Sequence, residues 1–368
     1  MVSKYDVFEY VYHKKKAVKA SEVAKAFGKT KGLYNHVLTL LQELANDKYL
    51  VKSKHGFEGK VSDKAERLYR IIRYCIQNNM NYNLLLDQEF LSFVSDALRQ
   101  GSLEQQRTKI NPRRFRRYVD TLQKYGLLLT ISEKPRRIVI FYNSLMKNLL
   151  LHFDMKPAVK RPKIEYNKLI NKELVKFRRL RKLNPAGFEK IVEDLNISFV
   201  HHSLSLEGNP ITLPDTYKIL RQNIIPNNTR VEDVDEVRNY QKALLQMIKD
   251  VAEKNVLTEE AILRYHGLAL GHHSAIAGKI RTVGVHIRGN PHFKIAKKED
   301  IRPKLNLLMK KYEEFQSIQR KRLTKILAFA AYFHNEFQHI HPFVDGNSRT
   351  TRLLLFHILN SNHIPVFD

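Results

Sequence analysis

The stretch HPFVDGNSRTTR, residues 341–352, places a histidine, an aspartate, an asparagine and two arginines directly before the apolar run LLLFHIL. The residues before it, about 322–340, predict one helix, and a second helix is expected to begin near Ser348. The first turn of a helix leaves backbone N–H groups unpaired and carries partial positive charge, so it attracts phosphate. Arg349 and Arg352 lie three residues apart on one helix face, where both are expected to point towards a polyanion.

The remaining polar residues of this stretch suit a reacting nucleotide. Asp345 is a hard oxygen ligand that can hold Mg²⁺ on phosphates. His341 can act as a general base, because an unperturbed histidine has a pKa of ~6.5. Gly346 allows close approach of the backbone to a ligand, and Asn347 adds an amide donor. Each residue alone is more typical of a polar loop, whereas the joint arrangement favours nucleotide phosphates, a metal and a base.

This stretch resembles the signature of the Fic domain family, His-Pro-Phe-x-Asp/Glu-Gly-Asn-x-Arg, and Arg352 matches its usual extension. The preceding AFAAYFHNEFQHI is similar to the helix that leads into that signature. The resemblance covers about residues 191–368 and implies a mainly α fold, with an all-α Fic domain that carries a β-hairpin flap. It also implies transfer of AMP from ATP, with Mg²⁺, to a Ser, Thr or Tyr hydroxyl of a target protein or of the chain itself.

The resemblance assigns a role to each matching residue. His341 would deprotonate the attacking hydroxyl, Asp345 would hold the metal ion, and Phe343 would be a buried anchor of the loop. The phosphate contacts would come from Gly346, Asn347 and Ser348 as an anion hole, from Arg349 on the β-phosphate and from Arg352 on the γ-phosphate. Serine at position 348 departs from the glycine usual in adenylyl-transferring members, but Gly346 and Asn347 agree with transfer of AMP rather than of a phosphate.

The segment SLSLEGN, residues 203–209, resembles the inhibitory motif of the family, with Ser203, Glu207 and Gly208 on a helix expected at about 198–208. An arginine fork binds a carboxylate through two parallel hydrogen bonds. The resemblance implies that Glu207 pairs with Arg352 and blocks the γ-phosphate. An ordinary helix end with a surface glutamate is the alternative. In some members this glutamate also helps to remove AMP, so the reverse reaction stays open.

The segment GKIRTVGVHIRG, residues 278–289, has β-branched residues between glycines and predicts a hairpin. It is similar to the family's flap, which docks a target segment by strand addition. Val285 and Ile287 are then the candidate target-binding residues. A hairpin with only a structural role is the alternative.

The front of the chain resembles two winged helix-turn-helix domains, at the level of pattern, over residues 1–80 and 86–155, with a basic connector over 156–190. The first domain is predicted to contain helices over 5–14, 20–27 and 31–50, followed by a hairpin of YLVKS and GKVS. The second is predicted to contain helices over 87–101 and 111–126 and a hairpin over 127–142. Their similar order suggests a tandem duplication.

The net charge of +27 lies mostly in the front half, where residues 1–160 carry 30 Lys/Arg against 15 Asp/Glu. A surface of that charge favours binding of polyanions such as DNA. The alternative is a lysine-rich surface that is only solvated and binds no polyanion. Four arginines at the start of the second predicted recognition helix are the candidate nucleic-acid contacts: Arg113, Arg114, Arg116 and Arg117.

Several other classes are disfavoured. Cys75 is the one cysteine, so no internal disulfide is possible, and no signal-peptide-like or membrane-spanning apolar run occurs; a cytoplasmic protein is expected. HNEFQH places His334 and His339 five residues apart, which does not match a zinc-protease helix. The alternative function is a DNA-binding regulator whose Fic domain senses nucleotide or removes AMP. Oligomeric state stays open, with a homodimer as one arrangement.

Overall fold

The computed structural model describes residues 2–28, 31–108, 110–156, 159–160, 165–286 and 293–365. The chain is mainly helical with small antiparallel sheets, as predicted. It divides into two compact units, Met1–Ile164 and Glu165–Asp368. The first unit contains both predicted front domains, and the predicted connector crosses the boundary between the units.

The first unit begins with three helices and a hairpin. Their bounds are α1 Lys4–Lys14, α2 Ala20–Phe27, α3 Lys31–Asn46, β1 Leu50–Ser53 and β2 Gly56–Gly59. The second strand lies nearer the turn than the predicted GKVS, because Val18 forms a bridge with Phe57. At Gly56, where φ is +132°, a Cβ atom would lie 2.3 Å from the carbonyl oxygen of Val18, so only glycine fits there.

The same order then recurs in the first unit. After α4 (Asp63–Gln77) and the short α5 (Tyr82–Leu85) come α6 Gln88–Gln100, β3 Leu103–Glu104, a 3₁₀ turn Gln105–Arg107, α7 Pro112–Lys124, β4 Leu128–Glu133, β5 Arg136–Ile140 and α8 Ser144–His152. Asp87 caps α6 and Asn111 caps α7, as their residue types predict. The sheet order is β3-β5-β4. In both repeats the second hairpin strand pairs with the segment that follows the first helix. The assignment to winged helices stays a prediction.

A shared core joins the two repeats. Phe8 and Leu41 from the first repeat belong to the same buried cluster as Phe90 and Phe115 from the second. The hydroxyl of Tyr49 lies 2.9 Å from Nε2 of His152 within this unit. The two predicted front domains therefore pack around one core.

The second unit is built from helices. They are α9 Tyr166–Leu183, α10 Pro185–Ser205, α11 Leu213–Tyr217 with a following π turn Lys218–Gln222, α12 Val231–Ala252, α13 Glu259–Ala269, a 3₁₀ turn Lys298–Asp300, α14 Ile301–Gln316, α15 Leu323–Ile340 and α16 Asn347–Ser361. Helix α16 packs against α12, α13 and α15 around buried aromatic residues such as Tyr240, Tyr265 and Phe337. The loop between α15 and α16 is therefore held at both ends by core helices.

Candidate active site

His341 is the residue at which α15 ends. Its N–H donates to the carbonyl of Phe337 at 2.9 Å, and its left-handed backbone, φ 50° and ψ 59°, turns the chain out of the helix. The imidazole Nδ1 lies 3.3 Å from the carbonyl oxygen of Gln338. If Nδ1 carries the proton and donates there, Nε2 keeps its lone pair. Burial, and then the charge of Arg281, lower the pKa of His341 against the effect of the Gln338 hydrogen bond. The imidazole is therefore neutral at neutral pH and able to accept a proton.

The loop after His341 is closed by its own residues. Phe343 is fully buried, as predicted for the anchor. The Asn347 side chain accepts from the Phe343 N–H at 2.9 Å and donates to its carbonyl at 2.8 Å. Gly346 has φ +76°, and a Cβ atom there would lie 2.6 Å from Leu270. The prediction that the Asn347 side-chain amide adds a donor for an anion is therefore corrected: that amide is used inside the loop, and Asn347 retains its backbone N–H for a ligand.

Asp345 lies on the outside of this loop, beside the start of α16. Its carboxylate accepts from the Gly346 N–H at 2.6 Å and from Arg349 at 2.7 Å, and 56% of its side chain is exposed. Burial works against its charge, but Arg349 and the Gly346 N–H outweigh it and lower the pKa of Asp345. The carboxylate is thus ionised and accessible. It lies next to the first-turn N–H groups of Asn347 and Ser348, which have no partner within the helix.

Arg349 points into the protein. It is 4% exposed, and its guanidinium pairs with Glu236 of α12 as well as with Asp345. In this arrangement Arg349 is occupied by two carboxylates, and the prediction that Arg349 and Arg352 point the same way towards a polyanion stays a prediction. Contact with a β-phosphate would require the Asp345 pair to open.

Arg352 faces the end of α10. It donates from Nε to the Ser203 hydroxyl at 2.5 Å and from Nη2 to the Ser203 carbonyl at 2.9 Å and to Glu207 at 2.7 Å. The Ser203 hydroxyl donates to Tyr240 at 2.8 Å, and the Tyr240 hydroxyl donates to the Arg349 carbonyl at 3.1 Å. The pairing expected between Glu207 and Arg352 is thus present in the structure.

Glu207 lies just beyond α10, which ends at Ser205. Gly208 follows with φ +97° and open space around its Cα. The next residue, Asn209, is buried and donates to Glu236 at 2.7 Å and to the Asp233 carbonyl at 3.1 Å. The segment after α10 is therefore linked to both arginines: Glu207 pairs with Arg352, and Asn209 binds Glu236, which pairs with Arg349.

The Fic/DOC family model matches residues 256–359, which contain this loop and the helices on either side of it. Residues 256–359 are a Fic domain. Curated relatives include "Protein adenylyltransferase Fic" of Drosophila persimilis, 30% identical over 175 residues, with coverage of 46% of this chain and 32% of that protein. The protein of the same name from Culex quinquefasciatus is 28% identical over 175 residues, covering 46% and 33%. The chain thus spans about a third of the length of these relatives.

Two solved structures are similar to parts of this chain. A Fic domain containing signaling protein from Bacteroides thetaiotaomicron superposes with a TM-score of 0.48 at 23% identity, over 54% of this chain and 76% of that chain. Fic-1 from C. elegans gives a TM-score of 0.43 at 21% identity, over 61% of this chain and 63% of that chain.

The predicted flap begins at Gly278, and the structure describes it as far as residue 286. Residues 278–286 form no strand, and Val285 is half-buried. Ile287 and the remaining residues of the predicted hairpin, 288–289, lie outside the described residues. The role of this segment in docking a target stays a prediction. Its fixed point is Arg281, a buried residue that the sequence analysis did not single out.

His266 of α13 is a second residue of the Fic domain that sequence reasoning missed. Its Nδ1 accepts from the Gly278 N–H at 2.9 Å, so its Nε2–H donates to the Asp345 carbonyl at 3.0 Å. Its ring stacks on Phe343 with centroids 3.7 Å apart. Burial lowers the pKa of His266 to about 4, which keeps this tautomer neutral. A lone histidine on an apolar helix face gives no sequence signal for such a role.

The four candidate arginines of the first unit lie at the start of α7, as predicted. All are exposed, and Arg114 pairs with Glu89 of α6. Arg113, Arg116 and Arg117 therefore present positive charge to solvent. Binding of DNA by this face stays a prediction.

The described part of the chain has neither a cluster of metal ligands nor a membrane-spanning helix. No group of three or more His, Cys, Asp or Glu residues there is arranged to hold a metal ion, and no helix there is long and apolar enough to cross a bilayer. His339 uses its Nδ1 on the Lys294 carbonyl at 2.7 Å rather than on a metal. Asp345 alone fits Mg²⁺, in the manner of sites where a nucleotide supplies most of the oxygen ligands.

Proposed function

We propose that this chain transfers AMP from ATP to a Ser, Thr or Tyr hydroxyl of a target protein or of itself. The observation that carries the proposal is one short loop that holds a neutral imidazole, an ionised exposed carboxylate and a helix N-terminus together. The similarity to proteins named protein adenylyltransferase Fic supports the choice of AMP and ATP.

The proposed reaction uses the groups that this loop holds together. Nε2 of His341 takes the proton of the target hydroxyl while that oxygen forms a bond to the α-phosphorus. The bond from the α-phosphorus to the bridging oxygen of the β-phosphate breaks, and pyrophosphate leaves. The backbone N–H groups of Asn347 and Ser348 stabilise the charge that develops on the phosphate oxygens. The Gly346 N–H would join them only after it leaves the Asp345 carboxylate. Mg²⁺, when bound at Asp345, neutralises phosphate charge and orients the leaving group. Positioning and charge stabilisation are the main contributions that phosphoryl chemistry requires.

Autoinhibition by Glu207 is part of the proposal. Arg352 would bind the γ-phosphate only after it exchanges Glu207 for that phosphate, since both anions need the same guanidinium face. The resting enzyme is therefore expected to hold ATP in a poorly aligned form. Arg349 is proposed to contact the β-phosphate in the same rearrangement, after its pair with Asp345 opens; Asp345 would be the residue that holds Mg²⁺.

The test is incubation of the full chain with ATP radiolabelled on the α-phosphate, followed by mass spectrometry for an AMP adduct. Label is expected on the chain or on a target, and His341→Ala should reduce it by about 10³-fold with the fold intact, because general-base catalysis contributes 10²–10⁴-fold. Label that survives His341→Ala would contradict the role of the imidazole. Absence of label from wild type and from Glu207→Gly would favour a nucleotide-sensing function instead.

Contact of the first unit with nucleic acid is a second proposal, carried by the exposed arginines at the N-terminus of α7. A helix start that bears arginines suits phosphate contacts and entry into a DNA groove. Such binding would bring the enzyme to targets that are themselves on DNA. The salt dependence of the affinity for a DNA duplex tests this proposal.

A further inference from the structure

Arg281 makes one hydrogen bond from each of its three side-chain nitrogens, and all three go to backbone carbonyls. Nε donates to the carbonyl of His341 at 2.7 Å, Nη1 to that of Val283 at 2.8 Å and Nη2 to that of Ala296 at 2.6 Å. Its backbone N–H donates to the Pro342 carbonyl at 2.8 Å. One residue thus holds two successive carbonyls of the catalytic loop.

This guanidinium is buried without a carboxylate partner among the described residues. Arg281 is 4% exposed, whereas Arg349, equally buried, has two carboxylates. Burial lowers the pKa of Arg281. Burying a charge that only dipoles compensate costs free energy. This domain therefore buries a costly charged group where the loop after His341 meets the segment that begins at Gly278.

The three carbonyls belong to three different parts of the site. Val283 belongs to the described part of the predicted flap, and Ala296 lies in the segment that leads into the 3₁₀ turn Lys298–Asp300. The Ala296 N–H also donates to the His339 carbonyl at 2.8 Å, and Phe293 stacks on His339 with ring centroids 4.4 Å apart. Ala296 is thus held at the end of α15 through His339, and Arg281 is held there through His341 and Pro342.

The third carbonyl belongs to His341, whose backbone is left-handed. A non-glycine residue in that region is strained and persists only where its surroundings hold it. The bond from Nε of Arg281 to the His341 carbonyl supplies such a hold. The direction of the imidazole follows from the backbone that carries it.

We infer that Arg281 is a positioning residue of this Fic domain, which links the residue that carries the proposed catalytic imidazole, His341, to Val283 and Ala296 through one guanidinium. The inference rests on the proposed AMP transfer. A target segment that docks beside Val283 would then be positioned relative to the imidazole of His341 through the side chain of Arg281. Lysine cannot replace arginine in this role, because one ammonium nitrogen cannot reach three carbonyls that the planar fork spans.

The experiment compares Arg281→Lys and Arg281→Met with Arg264→Lys, all in the Glu207→Gly background. Arg264 is a matched control, since it lies in the same domain and pairs with buried Asp250 at 2.6 Å but touches no part of the loop. Arg281→Lys is expected to lower kcat by about 100-fold, the cost of a displacement of about 1 Å. The Kd for ATP should stay within about threefold of the parent, and Arg281→Met should lose at least as much kcat. Arg264→Lys should keep the kcat of the parent.

Two results would overturn the inference. One is a kcat of Arg281→Lys within twofold of the parent; the other is a loss of ATP binding as large as the loss of kcat, which would indicate general collapse of the site. If the Glu207→Gly parent itself transfers no AMP, the proposed function fails separately. The inference is then decided by the long-range ¹H–¹⁵N NMR signals of the His341 ring. They should shift in Arg281→Lys and not in Arg264→Lys, and unchanged signals would sink the inference.

Discussion

The two units of the chain differ in what they bury. Among the described residues, the first unit buries three polar side chains: Asn78, Ser95 and His152. The second unit buries thirteen: His201, Ser203, Asn209, Thr216, Asp233, Asp250, His266, Arg281, Asn347, Arg349, Thr350, Thr351 and His357. Buried polar groups cost free energy unless they are paired. The first unit is thus a scaffold held mainly by apolar packing, while the second maintains a polar network around one loop.

Substitutions that destabilise the two cores equally should therefore have unequal effects on AMP transfer. Phe343→Ala and Phe115→Ala both empty a fully buried site, and each should lower the free energy of unfolding of its unit by about 3–4 kcal/mol. Phe343→Ala should also abolish AMP transfer, because the loop loses its anchor and its stack on His266. Phe115→Ala should leave transfer within about twofold, an estimate that assumes independent sites.

Hydrogen exchange resolved by unit would measure the stabilities, and the labelling assay would measure transfer. Transfer that survives Phe343→Ala with the stability loss confirmed would break the link between the anchor and the chemistry.

Acidification should separate the units as well. Burial lowers the pKa of His152 in the first unit, and of His266 and His357 in the second, to about 4 from 6.5. The unfolded chain then binds more protons than the folded chain, so stability is complete above about pH 6.5 and falls as the pH drops towards 4. At about pH 5 each histidine should cost about 2 kcal/mol. The second unit is therefore expected to lose at least about twice as much as the first, since the pKa values of His272, His334 and His341 are lowered as well.

Denaturant unfolding followed by hydrogen exchange at about pH 7 and pH 5 would test this difference. His152→Phe should flatten the pH dependence of the first unit and leave that of the second unit unchanged. Equal losses in both units would contradict the contrast in buried polar groups.

Release of the inhibitory contact should have a smaller effect. Glu207→Gly removes one hydrogen bond and one charge from Arg352, which keeps its two bonds to Ser203. Since the pair is partly exposed, the expected gain in AMP transfer is about tenfold, equivalent to about 1.4 kcal/mol. Initial rates at subsaturating ATP would measure it.

Glu253→Gly is the matched control for that change. Glu253 also follows a helix end and lies near a cation, Lys249 at 3.9 Å, but at α12 rather than at the loop. It should leave the rate unchanged. Equal rates for wild type and Glu207→Gly would contradict the inhibitory role.

Weakened binding of DNA is the smallest expected effect. Changing Arg116 and Arg117 together to alanine should weaken binding to a short duplex and reduce its salt slope by about 2, since each lost phosphate contact contributes about 0.9. The same change at Arg178 and Arg179, exposed on α9 of the second unit, is the control. Fluorescence anisotropy across a salt series would measure both. An equal loss in the two variants would indicate nonspecific attraction to a basic surface.

The loop could be predicted from the sequence because its determinants are local. Phe343, Asp345 and Gly346 act within a few residues of one another, and the helix start that follows is encoded by the same stretch. The pairing of Glu207 with Arg352 spans 145 positions, so the resemblance to a family suggested it where spacing could not.

The rest depended on tertiary contacts that no spacing encodes. Glu236 lies in an acidic helix where several carboxylates look alike, and packing of α12 selects the one that meets Arg349. Arg281 looks like one more cation in a basic chain until three carbonyls surround it. In the first unit, the bridge from Val18 moved strand β2 towards the turn, which the sequence of the hairpin alone did not indicate.

The backbone around Gly208 has a mechanical consequence. The residue before it, Glu207, accepts a hydrogen bond from Arg352. The residue after it, Asn209, is buried and donates hydrogen bonds to Glu236 and to the Asp233 carbonyl. Gly208 has φ +97°, a conformation in which a side chain would be strained, and an added Cβ atom would meet no other atom within 4 Å. Glycine therefore allows the turn that joins Glu207, just beyond α10, to the anchored Asn209. Under the proposed function, release of Glu207 from Arg352 would need only a local change at this turn, and the rate of that change would set how quickly a resting molecule becomes ready to transfer AMP.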